Sequence, residues 1–290
     1  MNTLKMMNVK GMAKMNFREK LAGMNNHYRY YELEYFFQQL NLHDIHYAEL
    51  WTGPMHFFVD YHKHDDIGFL KKLEAKYDVK IIGICPEQTN PKANHIASKH
   101  RRQDIYQYYC NMIDIAKKIG CNQVLITSGW AFYNEDKGMA WRRSIDMMKH
   151  ICSYAHEQGV IIVMEALQPE ESILVNSVKD LKKYKLEVDH DCLKICIDFG
   201  AMARAENTLQ DYFDAFDKDI VHIHFVDGAP CGHLAWGDGK RDLQADLTIL
   251  NERQYHGYLS LETATSRYFQ TPWIAEETTL RSFELLGGAL

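Results

Sequence analysis

The amino-acid sequence predicts an α/β protein with a single-domain (β/α)8 TIM barrel, and three observations indicate this. Short apolar segments alternate with longer amphipathic segments along most of the 290 residues, which is the pattern of strand–helix units. The apolar segments are rich in β-branched residues on both faces, as in parallel strands that helices cover. Eight such units fit in roughly 270 residues, a typical length for this barrel.

The eight units follow one another along the chain. The predicted strands are "KLAGMNN", "YAELW" (47–51), "KIIGICPE" (80–87), "QVLITSG" (123–129), "VIIVMEAL" (160–167), "LKICIDFG" (193–200), "VHIHFVDG" (221–228) and "YLSLETA" (258–264). The predicted helices that follow them are "YYELEYFFQQL", "DDIGFLKKLEAKY", 99–119, 138–158, "SVKDLKKYK", "TLQDYFDAF", "LQADLTILNERQ" and "WIAEETTLRSFELL". Several helices end at Gly or Asn, which is a common stop signal.

One domain is favoured over two, because no linker or low-complexity block divides the chain. The alternative fold, an open doubly wound sheet, would favour a Gly-rich first turn, and "LAGMNN" does not match GxGxxG. We expect residues 1–15 to form a disordered tail and residues 16–290 to form the catalytic barrel. The tail is basic and Met-rich without the apolar segment of a secretory signal, and Met15 is an alternative start.

Composition and charge argue against several classes of protein. The chain is 46% hydrophobic and 25% charged, and no apolar run approaches the ~20 residues of a membrane helix. The net charge of −6 argues against nucleic-acid binding, and the basic run "KHRR" (99–102) is interpreted as a solvated helix face. Seven scattered cysteines without a CxxC pair are typical of reduced thiols, so we expect a cytoplasmic protein.

Four consecutive predicted strands end in side chains that can bind a metal ion: Glu165, Asp198, His224 and Glu262. Catalytic residues of such barrels lie at the carboxyl ends of the strands, so we expect these four to meet at the barrel mouth. Side chains alternate along a strand, which puts small or apolar neighbours in the layers below. The alternative is four ion-pair partners inside the barrel. Three carboxylates and one imidazole favour one hard divalent cation, Mn2+ first, with Mg2+, Co2+ or Zn2+ as alternatives.

The segments "VMEALQPEES", "CIDFGA", "HIHFVDG" and "SLETA" resemble the four metal-binding segments of the xylose-isomerase-like barrel superfamily. The resemblance covers roughly residues 16 to 288. Known members include sugar isomerases, ketose 3-epimerases, inosose dehydratases and the endonuclease IV type of DNA-repair enzyme. The segments "AELW" and "EALQPEES", and "PE" after the third strand, are most similar to the fructoselysine 3-epimerase type.

The resemblance implies a role for each of these strand-end residues. Glu165, Asp198, His224 and Glu262 would be the metal ligands. As in the epimerases, Glu165 and Glu262 would flank the substrate carbon and exchange its proton. Glu171 matches a position that hydrogen-bonds the sugar near its carbonyl end.

Two departures from the ketose 3-epimerase pattern affect the expected substrate. Ala201 stands where those enzymes carry a His after the Asp ligand, and Pro230 stands where they carry an Arg. Substrate contacts therefore differ from those for a free ketohexose. The DNA-repair members need further histidines for three zinc ions, but Ala201 replaces one and their Asp-x-His becomes Cys231-x-His233. We therefore expect no nucleic-acid substrate.

Further residues near the strand ends are candidates for substrate binding, and each also has a purely structural interpretation. They are His233 in a loop beyond the seventh strand, Trp130 and Trp236 in top-face loops, His56 and Trp51 after the second strand, and Glu87 at the end of the third. The seventh strand carries two histidines of the same parity. We assign His224, nearer the mouth, to the metal and His222 to a buried hydrogen-bonded role, with Asp227 orienting either the ligand or a loop.

These observations predict a divalent-metal-dependent sugar epimerase or isomerase that removes a proton next to a carbonyl. The alternative is a lyase on the same scaffold, either a dehydratase or the large subunit of a C-glycoside-cleaving enzyme that acts on 3-oxo-glucosides. A third hypothesis is a non-catalytic metal-binding subunit. We expect a small-molecule sugar as partner, no membrane, and a homo-oligomer (dimer or tetramer), with a small partner subunit in the C-glycoside lyase case.

Overall fold

The computed structural model describes residues 15–88 and 91–286. Eight parallel strands close into a barrel in chain order, which confirms the predicted (β/α)8 fold. The strands are β1 (Leu21–Met24), β2 (Tyr47–Trp51), β3 (Lys80–Cys85), β4 (Gln123–Leu125), β5 (Ile161–Met164), β6 (Leu193–Asp198), β7 (Ile220–His224) and β8 (Tyr258–Leu261). Several of them end before the predicted segments do, because an apolar run continues into buried loop where the strand pairing has stopped.

Helices follow the strands and cover the outside of the barrel. They are α1 (Leu33–Leu42), α2 (Ile67–Tyr77), α3 (Arg102–Ile119), α4 (Lys137–Gln158), α5 (Val178–Val188), α6 (Phe199–Arg204), α7 (Leu209–Phe216), α8 (Leu243–Glu252) and α9 (Trp273–Leu285). Gly120 and Gly159 end α3 and α4 with positive φ angles of 87° and 73°, which glycine adopts without strain. The short α6 was not predicted, because six residues are too few to show helical periodicity.

The barrel interior contains a small apolar layer beneath the strand ends. It consists of Met24, Cys85, Leu125, Val163 and Cys196. Val163 and Cys196 lie two residues before Glu165 and Asp198, as the alternation along a strand predicts. This layer forms an apolar floor below the polar residues of the mouth.

The register of the sheet sets the height of the strand-end residues. Asp198 pairs with His224 across β6 and β7, and His224 pairs with Ser260 across β7 and β8. Glu262 follows Ser260 by two residues and therefore points to the same face. The register thus brings these side chains to the same end of the barrel.

The expected disordered tail falls on residues that are outside the described ones, except Met15. The backbone N–H of Met15 donates to the Asn251 side chain, and its side chain packs against the core. Within residues 15–88 and 91–286, none of the helices combines the length and the apolar character that crossing a bilayer requires.

Candidate active site

Four side chains from neighbouring strands converge at the barrel mouth. Asp198 and His224 are the last residues of β6 and β7, and Glu165 and Glu262 come one residue after β5 and β8. One donor atom from each lies within 4.8 Å of the others. Nδ1 of His224 lies 2.9 Å from Oε2 of Glu165, 2.8 Å from Oε2 of Glu262 and 3.7 Å from Oδ2 of Asp198. The structure therefore brings together the four residues that the sequence put forward as ligands.

Two atoms of this group lack hydrogen-bond partners among the described residues. They are Oε2 of Glu165 and Nδ1 of His224, both buried and only 2.9 Å apart. Buried polar atoms nearly always have a partner, and a metal ion bound between these two atoms would satisfy both. Three carboxylates and an imidazole are a donor set that suits a hard divalent cation. The residues present fit a metal ion, and the cluster is a candidate metal centre.

Glu49 of β2 contacts His224 on the side away from the other three carboxylates, and sequence reasoning missed this residue. Its Oε2 atom lies 2.8 Å from Nε2 of His222 and 3.2 Å from Nε2 of His224. The side-chain amide of Gln123 lies 3.1 Å from Nδ1 of His222 and can donate to it. A proton on each Nε2 satisfies Glu49, so Nδ1 of His224 would be the atom that binds a metal ion. A single acid inside the buried strand "YAELW" was the signal for this role.

His222 thus has the buried, hydrogen-bonded role that its depth in the strand suggested. Asp227 does not contact either histidine. Its carboxylate accepts N–H groups from Gly228, Gly237, Gly239 and Arg241. A Cβ at residue 239 would collide with this carboxylate, so glycine is required there. Of its two expected roles, Asp227 performs the second and orients a loop.

Burial and the nearby charges shift the pKa values of the cluster in different directions. Burial raises the pKa of Glu165 to about 8; Glu262 and Asp198 add to the shift and His224 opposes it. Burial also opposes ionisation of Glu262, but His224 and His233 outweigh it and lower its pKa. The pKa of Glu49 lies well below its usual range, because its two histidine partners outweigh the burial. The two glutamates nearest Nδ1 of His224 therefore differ in proton affinity.

His233 comes to the edge of the cluster on the loop that Asp227 orients. Its Nε2 atom lies 3.1 Å from Oδ2 of Asp198 and 3.4 Å from Oε2 of Glu262. Burial opposes its protonation, but Asp198 and Glu262 together hold its pKa well above the ordinary value. Asp198 also accepts the N–H of Ala201 and so caps α6. His233 is therefore close enough to contact any molecule bound at the cluster.

A polar cavity of about 490 Å³ lies above the cluster. Its walls include Glu171, whose carboxylate accepts the N–H of Gln168 and whose pKa burial raises. Trp51 and Glu87 also line it, and Glu87 forms an ion pair of 3.1 Å with Lys92. Glu171, His233 and Trp51 thus lie where sequence reasoning put them, beside the predicted ligands.

Two other predicted substrate contacts are corrected by the structure. Trp236 is only 1% exposed, packs on Phe225 with ring centres 4.5 Å apart and donates its indole N–H to the Phe225 carbonyl. His56 is buried between the side chain of Asn25 and the carbonyl of Tyr31. Neither residue lines the cavity. A loop sequence does not show whether an aromatic side chain turns to the mouth or to the core.

Trp130 lies beside the main cavity and not in its wall. Its ring stacks on His95 at 4.2 Å, and its indole N–H donates to the Lys92 carbonyl. It lines a second cavity of about 350 Å³, which shares Glu170 and Glu171 with the first. A substrate contact by Trp130 therefore requires a ligand that extends into this second cavity.

Comparison with known proteins identifies the family of this barrel. A family model described as "Xylose isomerase-like TIM barrel" matches residues 37–286. The chain belongs to the xylose isomerase-like TIM barrel family. Two relatives are fructoselysine 3-epimerases, one from Shigella flexneri and one from Escherichia coli O157:H7. Each is 28% identical to this chain over 241 residues, which are 82% of this chain and 87% of the relative.

Solved structures share the xylose isomerase-like fold at lower identity. A 3-keto-D-glucoside 4-epimerase from E. coli superposes with a TM-score of 0.75 and 15% identity, over 91% of this chain and 99% of that chain. A D-psicose 3-epimerase with D-tagatose from Clostridium cellulolyticum H10 superposes with a TM-score of 0.73 and 15% identity, over 92% and 97%. These likenesses concern the fold.

Proposed function

We propose that this protein is a divalent-metal-dependent sugar epimerase that acts on a ketose or a ketose derivative next to its carbonyl. The observation that carries the proposal is the convergence of four donor atoms within 4.8 Å beneath a polar cavity of about 490 Å³. Relatives and structural neighbours named as epimerases of fructoselysine, psicose and a 3-keto-glucoside support epimerisation. These names share a sugar substrate and differ in the carbon that is inverted.

The proposed chemistry depends on two carboxylates on different sides of one carbon. Glu165 and Glu262 follow β5 and β8, so they reach the cavity from separate parts of the barrel rim. One carboxylate removes the proton and the other returns one to the opposite face, which inverts the carbon. Their pKa values are shifted in opposite directions, as a pair with one acid and one base requires. A divalent cation, when bound, supplies stabilisation of the negative charge that develops on the carbonyl oxygen.

Neighbouring residues would position the sugar. His233 lies at hydrogen-bond distance from Asp198 and can donate to a hydroxyl that replaces this contact. Glu171 offers a half-buried carboxylate on the wall beside β5. Ala201 lines the cavity with a methyl group where ketose 3-epimerases carry a His, which leaves room for a substrate other than a free ketohexose.

A lyase acting on a glycoside is the second candidate, and the second cavity favours it. That cavity of about 350 Å³ is lined by Trp130, Phe132 and Tyr133 and adjoins the first at Glu171. Aromatic walls of this kind suit an apolar group attached to the sugar. Loss of such a group after proton removal would be an elimination.

The test measures bound metal and then follows proton exchange. Purified protein is stripped of metal, reloaded with Mn2+, and incubated in D2O with ketoses and with a 3-oxo-glycoside. Samples are quenched with chelator and read by NMR. Deuterium entry with inversion supports the epimerase, and release of the aglycone without exchange in any ketose supports the lyase. Absence of both reactions, together with no retained metal, would overturn the proposal.

A further inference from the structure

Charged side chains of opposite sign line the main cavity on two opposite sides of the barrel. Glu170 and Glu171 follow β5, and Arg29 follows β1 after a short helical turn. Strands β1 and β5 lie four places apart in a closed barrel of eight, so they are on opposite sides. The wall after β5 therefore carries two adjacent carboxylates, and the wall opposite carries a guanidinium group.

Three contacts fix the guanidinium of Arg29 at this wall. Its Nε–H donates to the Asn26 carbonyl at 2.9 Å. The group lies over the ring of Phe269 at 4.6 Å and over the ring of Trp51 at 5.4 Å. Both aromatic side chains also line the cavity. Cation–π contacts on a planar group hold its orientation, so little conformational entropy is lost when it binds a ligand.

Arg29 lacks the acidic partner that the neighbouring basic side chains have. Among residues 15–88 and 91–286, no carboxylate lies within ion-pair distance of its guanidinium, and its terminal nitrogens have no hydrogen-bond acceptor. By contrast, Lys92 on the same cavity is paired with Glu87, and Arg204 is paired with Glu170. A fixed, half-buried arginine with free donors at a ligand cavity is suited to binding an anion.

We propose that Arg29 binds an anionic group of the sugar substrate, a carboxylate or a phosphate, on the side of the cavity opposite Glu171. This inference rests on the proposed epimerase function and specifies its substrate class. Two terminal N–H groups can form parallel bonds to two oxygens of either anion. A cavity of about 490 Å³ lies within the range for drug-sized ligands, so it has room for a substituted sugar.

The experiment uses two matched pairs of ligands on the metal-loaded protein. Fructose and fructose 6-phosphate differ by the phosphate, and fructosylcadaverine and fructoselysine differ by the carboxylate. Binding is measured by calorimetry, and deuterium exchange is measured in parallel, for wild type, Arg29→Gln and the control Lys92→Gln. The control removes a cavity cation that is already paired.

We expect wild type to bind at least one anionic ligand about 10- to 100-fold more tightly than its neutral counterpart, because a hydrogen-bonded charge pair contributes that much. Arg29→Gln abolishes the preference and changes binding of the neutral ligand less than about threefold, whereas Lys92→Gln retains the preference. The ligand pair in which the anionic member binds more tightly shows whether the bound group is a phosphate or a carboxylate.

Equal weakening of neutral and anionic ligands in Arg29→Gln, or no anionic preference in wild type, would overturn the inference. A preference lost in Arg29→Gln without deuterium exchange in any ligand would support the anion site and contradict the epimerase. Exchange in neutral sugars without any anionic preference would contradict the anion site alone.

Discussion

Oε2 of Glu49 lies 3.2 Å from Nε2 of His224, on the side of the imidazole away from Glu165 and Glu262. This contact fixes both the ring and its tautomer, because a carboxylate behind Nε2 keeps the proton there. The Nδ1 lone pair then faces the candidate metal site. Glu49 is therefore a positioning residue for the metal centre.

Replacing Glu49 tests this relationship. We expect Glu49→Gln to weaken Mn2+ binding by about 10- to 100-fold, because an amide leaves His222 and His224 without a shared anionic acceptor. Calorimetric titration of the metal-free protein measures the change. Ser260→Ala, which removes a buried hydroxyl without a hydrogen-bond partner among the described residues, is the control and should bind normally. Equal affinities in wild type and Glu49→Gln would contradict the assigned role.

Glu165 is expected to be essential for proton exchange. Glu165→Gln removes the carboxylate that would accept or return the substrate proton and should lower the rate of deuterium entry by at least about 100-fold. The matched control is Glu170→Gln, which changes an exposed cavity carboxylate paired with Arg204. Thermal unfolding of both variants shows whether the fold is retained. A Glu165→Gln variant that exchanges at the wild-type rate would rule out this role.

Metal binding should strengthen as the pH rises. The pKa of Glu165 is raised to about 8, so the metal-free folded protein holds a proton there between its ordinary pKa of 4.5 and about 8. The cation must displace this proton, and the apparent affinity should rise by up to about tenfold per pH unit in that window. The raised pKa also stabilises the metal-free fold at low pH, and this stabilisation is lost as the pH rises from about 4.5 to about 8.

Calorimetry between pH 6 and 9, in buffers of different ionisation enthalpy, counts the protons released on Mn2+ binding. Proton release that declines above about pH 8 agrees with the shift of Glu165. A constant affinity with no proton release across this range would contradict it.

Asp227 should stabilise the loop that carries His233. Its carboxylate accepts four backbone N–H groups, and removal leaves several of them unpaired. We expect Asp227→Ala to lower the free energy of unfolding by about 2 to 3 kcal/mol. Asp242→Ala, which removes only the N-cap of α8, should cost about 1 kcal/mol. Urea denaturation compares the two, and a smaller loss in Asp227→Ala than in Asp242→Ala would contradict the role.

The fold was predictable, because buried parallel strands appear in the sequence as short apolar segments. The residues at the ends of β5 to β8 were predictable as site residues, because active sites of such barrels lie at the carboxyl ends of the strands. Alternation predicted which face Glu165, Asp198, His224 and Glu262 share, and the structure brings them together. Alternation shows which face of a strand a side chain lies on, but it does not show which residue it meets across the barrel. The contact between Glu49 on β2 and His224 on β7 was therefore not predictable.

Loop residues were the least predictable part of the candidate site. Trp236 and His56 follow strand ends in the sequence, but both side chains turn into the core. The indole N–H of Trp236 donates to a backbone carbonyl, and Nε2 of His56 lies next to another. Arg29 was not recognised, because its aromatic neighbours come from β2 and from the segment after β8. Such contacts depend on the closed barrel and leave no local pattern.

The most direct test of the central claim is the number of Mn2+ ions that the metal-free protein binds, measured by electron paramagnetic resonance. One tightly bound ion per chain is predicted for wild type. Loss of that ion is predicted for Asp198→Ala and for His224→Ala, because each removes a donor from the cluster. No tight site in wild type, or unchanged binding in both variants, would contradict the claim that these four side chains form a metal centre.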